Sequence, residues 1–503
     1  MRLVEVRLLD GPNVYRLEPT VKIEVIVGRP RTWYGERLPE RHAIVRLGQP
    51  VPRREAPAIV LDLAGWVTRL HQLSGADDWL QKAGAARRRN VPVNIHRSSD
   101  PGHWIVAFPW REQQRAQAVA EGALKLAART AEPSRARPTP RTGTGRLLTR
   151  AIDSVRAAET SPPVWITDEH RRVPAVSISG TNGKSTTTRM LTHIFVAAGR
   201  RVGTTTSDGV LIDEKLIEEG DLTGPQGARS VLEHAGLDVA VLETARGGIV
   251  LRGVGYQSND ASILTNVSSD HLDLMGLHTL PELAEVKSVV CRITKPHGAV
   301  VLNADDRLVA SVSRRVAAPV SFFSLRPRSR EVMRHVGRGG RAMVLDDGWL
   351  VELDGAHRTR ILRADEAPAT LLGMARHNIG NALAAAAGAR ALGATIEEVA
   401  AGLRSYLPSA ELAPGRLNLY RREELVVIVD FAHNEAGLSV VLDVAEGMSG
   451  SRRRRRKPLT VVVGTAGDRP DDTLRGIGRI AAQRADRLFV KETLRYLRGR
   501  TRE

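Results

Sequence analysis

The residues best suited to chemistry form one short run: Gly180, Thr181, Asn182, Gly183, Lys184, Ser185 and Thr186. The run follows an apolar stretch, Ala175–Ser179, and opens a segment whose apolar residues recur at helical spacing. A glycine loop between strand and helix lets backbone amides approach phosphate oxygens. Lys184 would contact the terminal phosphates, and the Ser185 hydroxyl would bind Mg²⁺. The pattern predicts a variant phosphate-binding loop, because Ile178 replaces a further glycine; an ordinary glycine turn is the alternative.

Further polar residues follow other predicted strands. They are Glu243, Asn266, Asn303, Asp305 and Asp430. In open α/β sheets, ligands bind outside the carboxyl ends of the strands. A single polar residue at a strand end would mean little. Several of them, together with a phosphate loop, predict one binding site at that edge of a sheet.

The elements that must position these residues predict an α/β fold with several domains, since 503 residues exceed what one core accommodates. Residues 1–130 predict a small amino-terminal α/β domain, and the proline-, serine- and charge-rich stretch 131–164 predicts a linker. Alternating short strands and helices over 165–409 predict a central domain with a mostly parallel sheet. A second such series, 410–503, predicts a Rossmann-like carboxyl-terminal domain.

The net charge of +18 comes mainly from arginine, because the chain has only nine lysines. Such a surplus attracts anions, including nucleotides, polycarboxylates and nucleic acids. The densest basic run, 452–457, lies between a predicted helix and a predicted strand, which favours a solvated loop. No aromatic-rich platform accompanies it, and aromatic residues make up 4% of the chain. A nucleic-acid partner is therefore the least favoured of the options.

Cysteine usage and hydropathy bear on the compartment. Cys291 is the only cysteine, which rules out an intrachain disulfide and is typical of a reducing environment. No apolar run is long enough to span a bilayer, and the amino end has no secretory core. These features predict a cytoplasmic protein with no membrane partner.

The order of the motifs resembles the Mur ligases. The motifs are 180–186, Glu243, 265–266, Asp270-His271-Leu272, Lys287, 303–306, His377-Asn378, Gly415-Arg416 and 430–434. Within that family the resemblance is nearest to the ligase half of the cyanophycin synthetases, through 204–209, 224–226 and 242–249. The amino end, with Gly11-Pro12-Asn13-Val14, also resembles the first domain of those enzymes.

Two departures accompany the resemblance. Cyanophycin synthetases carry an ATP-grasp domain between the first domain and the ligase half, whereas here the linker joins the two directly. The family's last domain also continues for further strands and helices beyond the point where this chain stops. We therefore expect the carboxyl-terminal domain, 410–503, to be incomplete.

The resemblance implies ATP-dependent amide formation through an acyl phosphate, with ATP and Mg²⁺ as cofactors. Lys184 would clamp phosphates, and the metal ligands would be Ser185, Glu243 and His271. Lys287 matches the lysine that Mur ligases carry as a carbamate, a role that arginine cannot take because it stays protonated. Taken singly, Glu243 has another reading as an ion-pair partner, and Lys287 another as a solvated lysine.

The resemblance also implies roles on the nucleotide and on the last domain. Asn303 matches an adenine-contacting position, and Asp305 lies beside it. Arg416 and Asp430 would close on the nucleotide from the last domain. His433 would face the acyl phosphate.

Three functions follow in decreasing order. The first is an acid–amino acid ligase that joins a small amino acid to a carboxylate acceptor. The acceptor can be a polyanionic peptide. A homo-oligomer is compatible with this function. The second is a non-catalytic nucleotide-binding protein of the same fold. The third is a nucleic-acid binder that uses the basic run 452–457. Turnover of ATP that requires an amino acid separates the first from the other two.

Overall fold

The structure is a computed structural model. It describes residues 1–28, 47–79, 90–130, 143–269, 272, 275–449, 458–467, 469, 471–492 and 497. Across these ranges the protein is a mixed α/β protein with one large, mostly parallel sheet, as the sequence predicts. None of the helices in the described ranges combines the length and apolarity needed to cross a membrane.

The amino-terminal part is a four-stranded antiparallel sheet in the order β1-β2-β4-β3. In its described residues, two helices pack on the sheet and a third packs on those two helices. The strands are β1 Arg2–Leu9, β2 Thr20–Ile26, β3 Asn94–Arg97 and β4 His103–Pro109. The helices are α1 Ala58–Ser74, α2 Gln113–Thr130 and α3 Gly143–Ala157, with a short 3₁₀ helix at Arg53–Glu55.

Helix α3 differs from the linker expected over 131–164. Its apolar residues Leu148, Ala151, Ile152 and Val155 follow helical spacing and pack into the core of the amino-terminal domain. An amphipathic stripe of this kind is buried against a neighbouring face rather than left in solvent. Residues 131–142 lie outside the described residues, and the remaining domain boundaries stay predictions.

The central part contains an eleven-stranded sheet in the order β15-β14-β13-β12-β11-β10-β5-β9-β6-β7-β8. Its strands are β5 Ala175–Ser179, β6 Val202–Thr205, β7 Gly209–Ile212, β8 Lys215–Glu219, β9 Val239–Glu243, β10 Asn259–Leu264, β11 Thr294–Asn303, β12 Val320–Ser324, β13 Arg341–Asp346, β14 Trp349–Asp354 and β15 His357–Arg363. Strands β6, β9, β5, β10, β11, β12 and β13 run parallel, and antiparallel strands extend both edges.

Helices cover both faces of this sheet. They are α4 Lys184–Ala197, α5 Pro225–Leu232, α6 Arg246–Leu251, α7 Leu280–Lys287, α8 Val289–Arg292, α9 Arg307–Ser311, α10 Arg330–Val336, α11 Arg376–Ala391 and α12 Ile396–Ser405, with 3₁₀ helices at Val312–Arg314, Ala364–Glu366 and Pro368–Thr370. The middle strands β5 and β9 are buried along their whole length, as expected for parallel strands covered on both faces. One apolar core therefore lies on each side of the sheet.

The carboxyl-terminal part is smaller. Its strands are β16 Asn418–Arg422, β17 Leu425–Val429, β18 Thr460–Val463 and β19 Arg487–Val490, and its helices are α13 Glu435–Ser449 and α14 Asp471–Arg484. Strands β16 and β17 form an antiparallel hairpin, whereas β18, α14 and β19 form a parallel βαβ unit. This unit is the Rossmann-like element that the sequence predicts.

Candidate active site

Sheet register brings the predicted residues together. Ile178 of β5 pairs with Glu243 of β9, and Ser179 pairs with Leu264 of β10. The phosphate loop, Glu243 and the turn after β10 therefore leave the sheet at the same edge. This edge is the carboxyl end of the parallel strands, where α/β sheets bind ligands.

The loop between β5 and α4 requires glycine at two positions. Gly180 has φ of +150° and Gly183 has φ of +83°, both in the region that favours glycine. A Cβ at Gly180 would collide with Thr265 Oγ1, and one at Gly183 would collide with Asn381 Oδ1. The loop is thus shaped by its neighbours as well as by its own residues.

Asn266 clamps the loop from the turn after β10. Its Oδ1 accepts a hydrogen bond from the Asn182 amide at 2.9 Å, and its Nδ2 donates to the Asn182 carbonyl at 2.9 Å. Thr265 Oγ1 donates to the same carbonyl at 2.7 Å. Asn266 is one of the polar residues that follow predicted strands, but its role is not visible in the sequence, because its contact with the loop depends on sheet order.

Two lysine side chains lie against the loop. Lys184, the first residue of α4, donates from Nζ to the Thr181 carbonyl at 2.9 Å. Lys287, the last residue of α7, donates from Nζ to the Gly180 carbonyl at 2.6 Å and is only 5% exposed. The reading of Lys287 as a solvated lysine is therefore wrong.

Helix α7 places Lys287 firmly. Its amino end carries a capping box, in which Thr279 accepts from the Glu282 amide and the Glu282 carboxylate accepts from the Thr279 amide. Such reciprocal caps satisfy amides that a helix leaves unpaired. The lysine thus reaches the loop from a helix that is fixed at its far end.

Ser185 and Glu243, two of the predicted metal ligands, lie next to each other. Ser185 Oγ donates to Glu243 Oε1 at 3.0 Å, and Glu243 is 3% exposed. Its other oxygen, Oε2, has no hydrogen-bond partner among the described residues. Burial raises the pKa of this carboxyl group, while the positive charges of Lys184 and Arg416 act in the opposite direction.

A buried carboxylate oxygen without a partner, beside a hydroxyl, suits a hard divalent cation that takes oxygen ligands. The residues present therefore fit Mg²⁺. His271, the third predicted metal ligand, lies outside the described residues, so its place in this set stays a prediction.

A cavity of about 470 Å³ lies on one side of the loop. Its lining includes Thr186, Asn303 and Asp305. Asn303 Nδ2 donates to the Thr265 carbonyl at 2.8 Å, so β11 is tied to the same turn. The Asp305 carboxylate accepts from Ser324 Oγ at 2.7 Å and from Arg326 Nε at 2.9 Å, which gives it a structural role as well.

His377, on helix α11, also lines this smaller cavity. Burial lowers its pKa to about 4, so its imidazole is neutral at pH 7. A neutral imidazole has one donor nitrogen and one acceptor nitrogen, and either can form a hydrogen bond with a ligand in the cavity.

The carboxyl-terminal domain supplies the opposite wall. Arg416 Nη2 lies 3.4 Å from Ser185 Oγ, and its guanidinium stacks over Phe431 at 5.2 Å from the ring centre. Asp430 Oδ2 accepts from the Leu417 amide at 2.8 Å, and burial raises the pKa of this carboxyl group. His433 Nδ1 donates to the Phe431 carbonyl at 2.9 Å.

A second contact joins the two walls directly. Asn434 Nδ2 donates to Asn182 Oδ1 at 3.0 Å, and Asn182 Nδ2 donates back to Asn434 Oδ1 at 3.4 Å. The two residues are 252 positions apart. The last domain therefore touches the phosphate loop at a residue of the loop itself.

A larger cavity of about 1100 Å³ lies on the other side of the loop. Both cavities share Thr181, Lys184, Ser185, Arg416, Asp430, Phe431, Ala432 and His433 in their linings. The larger one also contains Glu243, Lys287 and the acidic residues Asp208 and Asp221. Asp208 belongs to the motif 204–209, but no role is predicted from the sequence for Asp208 or Asp221.

Comparison with protein families matches residues 178–389 with the Mur ligase middle domain and residues 415–499 with the Mur ligase, glutamate ligase domain. Cyanophycin synthetase of Synechocystis sp. strain PCC 6803 is 42% identical over 321 residues, which are 64% of this chain and 36% of that protein. The chain thus spans about a third of the length of the cyanophycin synthetases that it matches.

One further relative and one solved structure differ more. UDP-N-acetylmuramoyl-L-alanyl-D-glutamate–2,6-diaminopimelate ligase of Bacillus velezensis is 27% identical over 352 residues, 66% of this chain and 65% of that protein. The solved structure is the bifunctional folylpolyglutamate synthase/dihydrofolate synthase of Yersinia pestis, in complex with AMPPNP and a manganese ion. The match covers 63% of this chain and 73% of that chain, at 19% identity and a TM-score of 0.46.

The two family matches follow each other in the chain, and they begin at the strand before the phosphate loop and at the segment that carries Arg416. Together they cover more than half of the 503 residues. With its middle and glutamate ligase domains both present and in order, the chain belongs to the Mur ligase family.

Proposed function

We propose that this protein is an ATP-dependent, ADP-forming ligase that joins a carboxylate to an amine through an acyl phosphate. The observation that carries the proposal is the position of the phosphate loop between two cavities with a shared lining. A protein that only binds a nucleotide needs one cavity at such a loop. A group transferred from one ligand to another needs a second cavity on the far side.

The nucleotide would occupy the smaller cavity, with Asn303 and Asp305 near its base. The loop amides and Lys184 would hold its β- and γ-phosphates at the border between the cavities. A carboxylate in the larger cavity would attack the γ-phosphorus, and ADP would leave. The amine would then attack the acyl carbon, lose a proton, and release phosphate that contains one former carboxylate oxygen.

Charge must be neutralised while the phosphoryl group moves, because both reactants are anionic. Lys184 and Arg416 reach the border of the cavities from opposite walls. Ser185 and Glu243 would hold Mg²⁺, which, when bound, supplies positive charge to the phosphate oxygens. His433 lines both cavities and would face the acyl phosphate from the last domain.

We also propose that Lys287 is carbamylated. The residue is buried, lies against the loop and lines the larger cavity together with Glu243. Carbamylation would turn its ammonium into an anion on the metal side of the loop. The neutral amine of lysine can attack carbon dioxide, whereas a guanidinium cannot.

Two relatives, a cyanophycin synthetase and a UDP-N-acetylmuramoyl-L-alanyl-D-glutamate–2,6-diaminopimelate ligase, support the same class of reaction. We propose a small amino acid as the amine and a carboxylate acceptor, with a polyanionic peptide as the acceptor that suits the net charge of +18. A cytoplasmic location stays a prediction from the single, buried Cys291.

The test uses an acceptor whose carboxylate carries heavy oxygen. Candidate amino acids and acidic peptides are first screened for stimulation of ATP turnover, and the phosphate released with the stimulating pair is analysed by mass spectrometry. We expect label in the phosphate only when both acceptor and amine are present, together with release of ADP. Release of AMP, or phosphate release indifferent to every amine, would overturn the proposal.

The alternative is a non-catalytic nucleotide-binding protein. One observation favours it: in the described residues, the apolar core of the carboxyl-terminal domain is small. This domain must stay ordered to complete the site, and a small core stabilises it only weakly. The buried residues of this core are Leu438, Leu442, Val461, Ile477 and Ala481. Nucleotide binding without turnover for any acceptor and amine would make this alternative the better description.

A further inference from the structure

A second cluster of ligand-type side chains lies away from the cleft, in the amino-terminal domain. Glu24 of β2, Asp100 of the β3–β4 turn and His103 at the start of β4 each direct one ligand atom to a common point. These atoms lie within 4.8 Å of one another. Within the described ranges, no other group of three histidine, cysteine or acidic residues converges in this way.

A fourth side chain reaches the cluster from the central domain. His278 Nε2 lies 2.7 Å from Asp100 Oδ1, although the two residues are 178 positions apart. The backbone beside it is also close, since a Cβ at Gly276 would lie 3.2 Å from Asp100 Oδ2. The β3–β4 turn is therefore seated against the loop that precedes helix α7.

The two oxygens of Glu24 have different partners, and only one of them faces another ligand-type atom of the cluster. His103 Nδ1 lies 2.7 Å from Glu24 Oε1, whereas Lys22 Nζ holds Glu24 Oε2 at 2.6 Å. Lys22 also pairs with Glu5 at 2.7 Å, so its charge is shared between two carboxylates. Glu24 can thus bind a cation through Oε1 alone and keep its lysine.

We propose that Glu24, Asp100 and His103 form a zinc-class metal site, and that His278 holds Asp100 in place from the central domain. One imidazole nitrogen and two carboxylate oxygens are ligands that zinc accepts, with water in the fourth position. Magnesium and calcium prefer oxygen alone, so the histidine disfavours them.

The three side chains must adjust to hold a metal. Ligand atoms around a tetrahedral zinc lie about 3.3 Å apart, because the metal–ligand bonds are about 2.0–2.1 Å. The His103–Glu24 pair, now at 2.7 Å, would separate by roughly half an ångström, and the metal would replace its hydrogen bond. The other ligand distances, all within 4.8 Å, would shorten toward the same value, and Asp100 is partly exposed, which gives its side chain room to move.

The position of the site gives it a consequence for the cleft. His278 immediately precedes Thr279, which caps helix α7, and that helix ends at Lys287 beside the phosphate loop. A metal that fixes Asp100 would also hold the start of this helix against the amino-terminal domain, through the contact between Asp100 and His278. The proposal itself does not depend on the ligase reaction.

The experiment uses tag-free full-length protein, stripped with chelator and kept in excess Mg²⁺ so that the magnesium site cannot contribute. Zinc binding is measured by calorimetry and by metal analysis after dialysis. We expect one zinc per chain and a higher melting temperature with zinc. Cobalt in place of zinc should give the visible absorption of a tetrahedral centre, which reports the geometry without any variant.

Variants separate this site from other histidines. His103→Ala and Asp100→Asn should each weaken zinc binding about tenfold or more. The matched control is His193→Ala. His193 pairs with Glu214 at 2.9 Å in the same way, but in the part of the chain that the structure describes no second carboxylate joins this pair. Lys184→Ala should leave zinc binding intact. Absence of zinc binding by the wild type, or an equal loss in the His193 control, would overturn the proposal.

Discussion

The two walls of the cleft are built differently. The central wall rests on β5, β9 and β10, which are buried on both faces, and its loop is clamped by Asn266. The carboxyl-terminal wall rests on the β16–β17 hairpin, in which Leu425 is 60% exposed. The first wall is held by packing on both faces of the sheet. The second attaches through a small apolar cluster, in which Leu417 and Val444 pack with Ala375, and through a few polar contacts.

This difference assigns different tasks to the walls. A site held in place before the ligand arrives can bind phosphate without further ordering cost. A wall attached by a small contact area can open and close around its ligands, as domains of many enzymes do. We therefore expect the central wall to control nucleotide binding and the last domain to control the chemical step.

The largest effect is expected on the central wall. Lys184→Ala should lower ligase turnover by about a thousandfold or more, because a charge-stabilising group at the transferred phosphate is lost. The melting temperature should change little, since the ammonium contacts only the loop. Turnover is measured as amine-dependent phosphate release, and unchanged turnover would remove the phosphate-loop assignment.

Lys287 tests the lysine chemistry on the same wall. Lys287→Arg should be nearly as damaging as Lys287→Ala, about a hundredfold, because arginine keeps the charge but cannot form a carbamate. Added formate or acetate should partly rescue the alanine variant. The matched control is Lys295→Arg, which alters a lysine that pairs with Asp260 at 3.4 Å far from the loop. Full activity of Lys287→Arg would rule out the carbamate.

Arg416 tests the carboxyl-terminal wall. Arg416→Ala should lower kcat about tenfold while nucleotide affinity stays within about twofold, because Arg416 would contact the nucleotide at the γ-phosphate, the group that is transferred. Arg421→Ala, an exposed arginine of the same hairpin, is the control and should leave both unchanged. A large loss of nucleotide affinity in Arg416→Ala would contradict the division of tasks between the walls.

The smallest effect is expected in the hairpin itself. Leu425→Ala should change the free energy of unfolding by about 0.5 kcal/mol or less, since the side chain is mostly exposed. Leu242→Ala, at a position of β9 that is 0% exposed, should cost about 2–5 kcal/mol. Denaturant titration measures both, and equal costs would show that the two walls are packed alike.

The loop was predictable from sequence because its residues are contiguous and flanked by a strand and a helix. Helix α3 was not predicted, because the proline- and serine-rich residues at the start of 131–164 indicate a linker. The helical spacing of Leu148, Ala151 and Ile152 was the signal that could have predicted it. The Glu24–His103 cluster could not be predicted, since it depends on strand register and on a turn that meets a distant loop.

The contact between Asn182 and Asn434 has a consequence for how the cleft responds to solution conditions. Each carboxamide is both donor and acceptor, so the pair is self-complementary and carries no net charge. Salt screens the approach of Arg416 but leaves such a neutral pair almost untouched. A hydrogen bond of this type contributes about 0.5–1.5 kcal/mol, which biases the wall toward closure at any ionic strength yet lets thermal motion open it in every cycle.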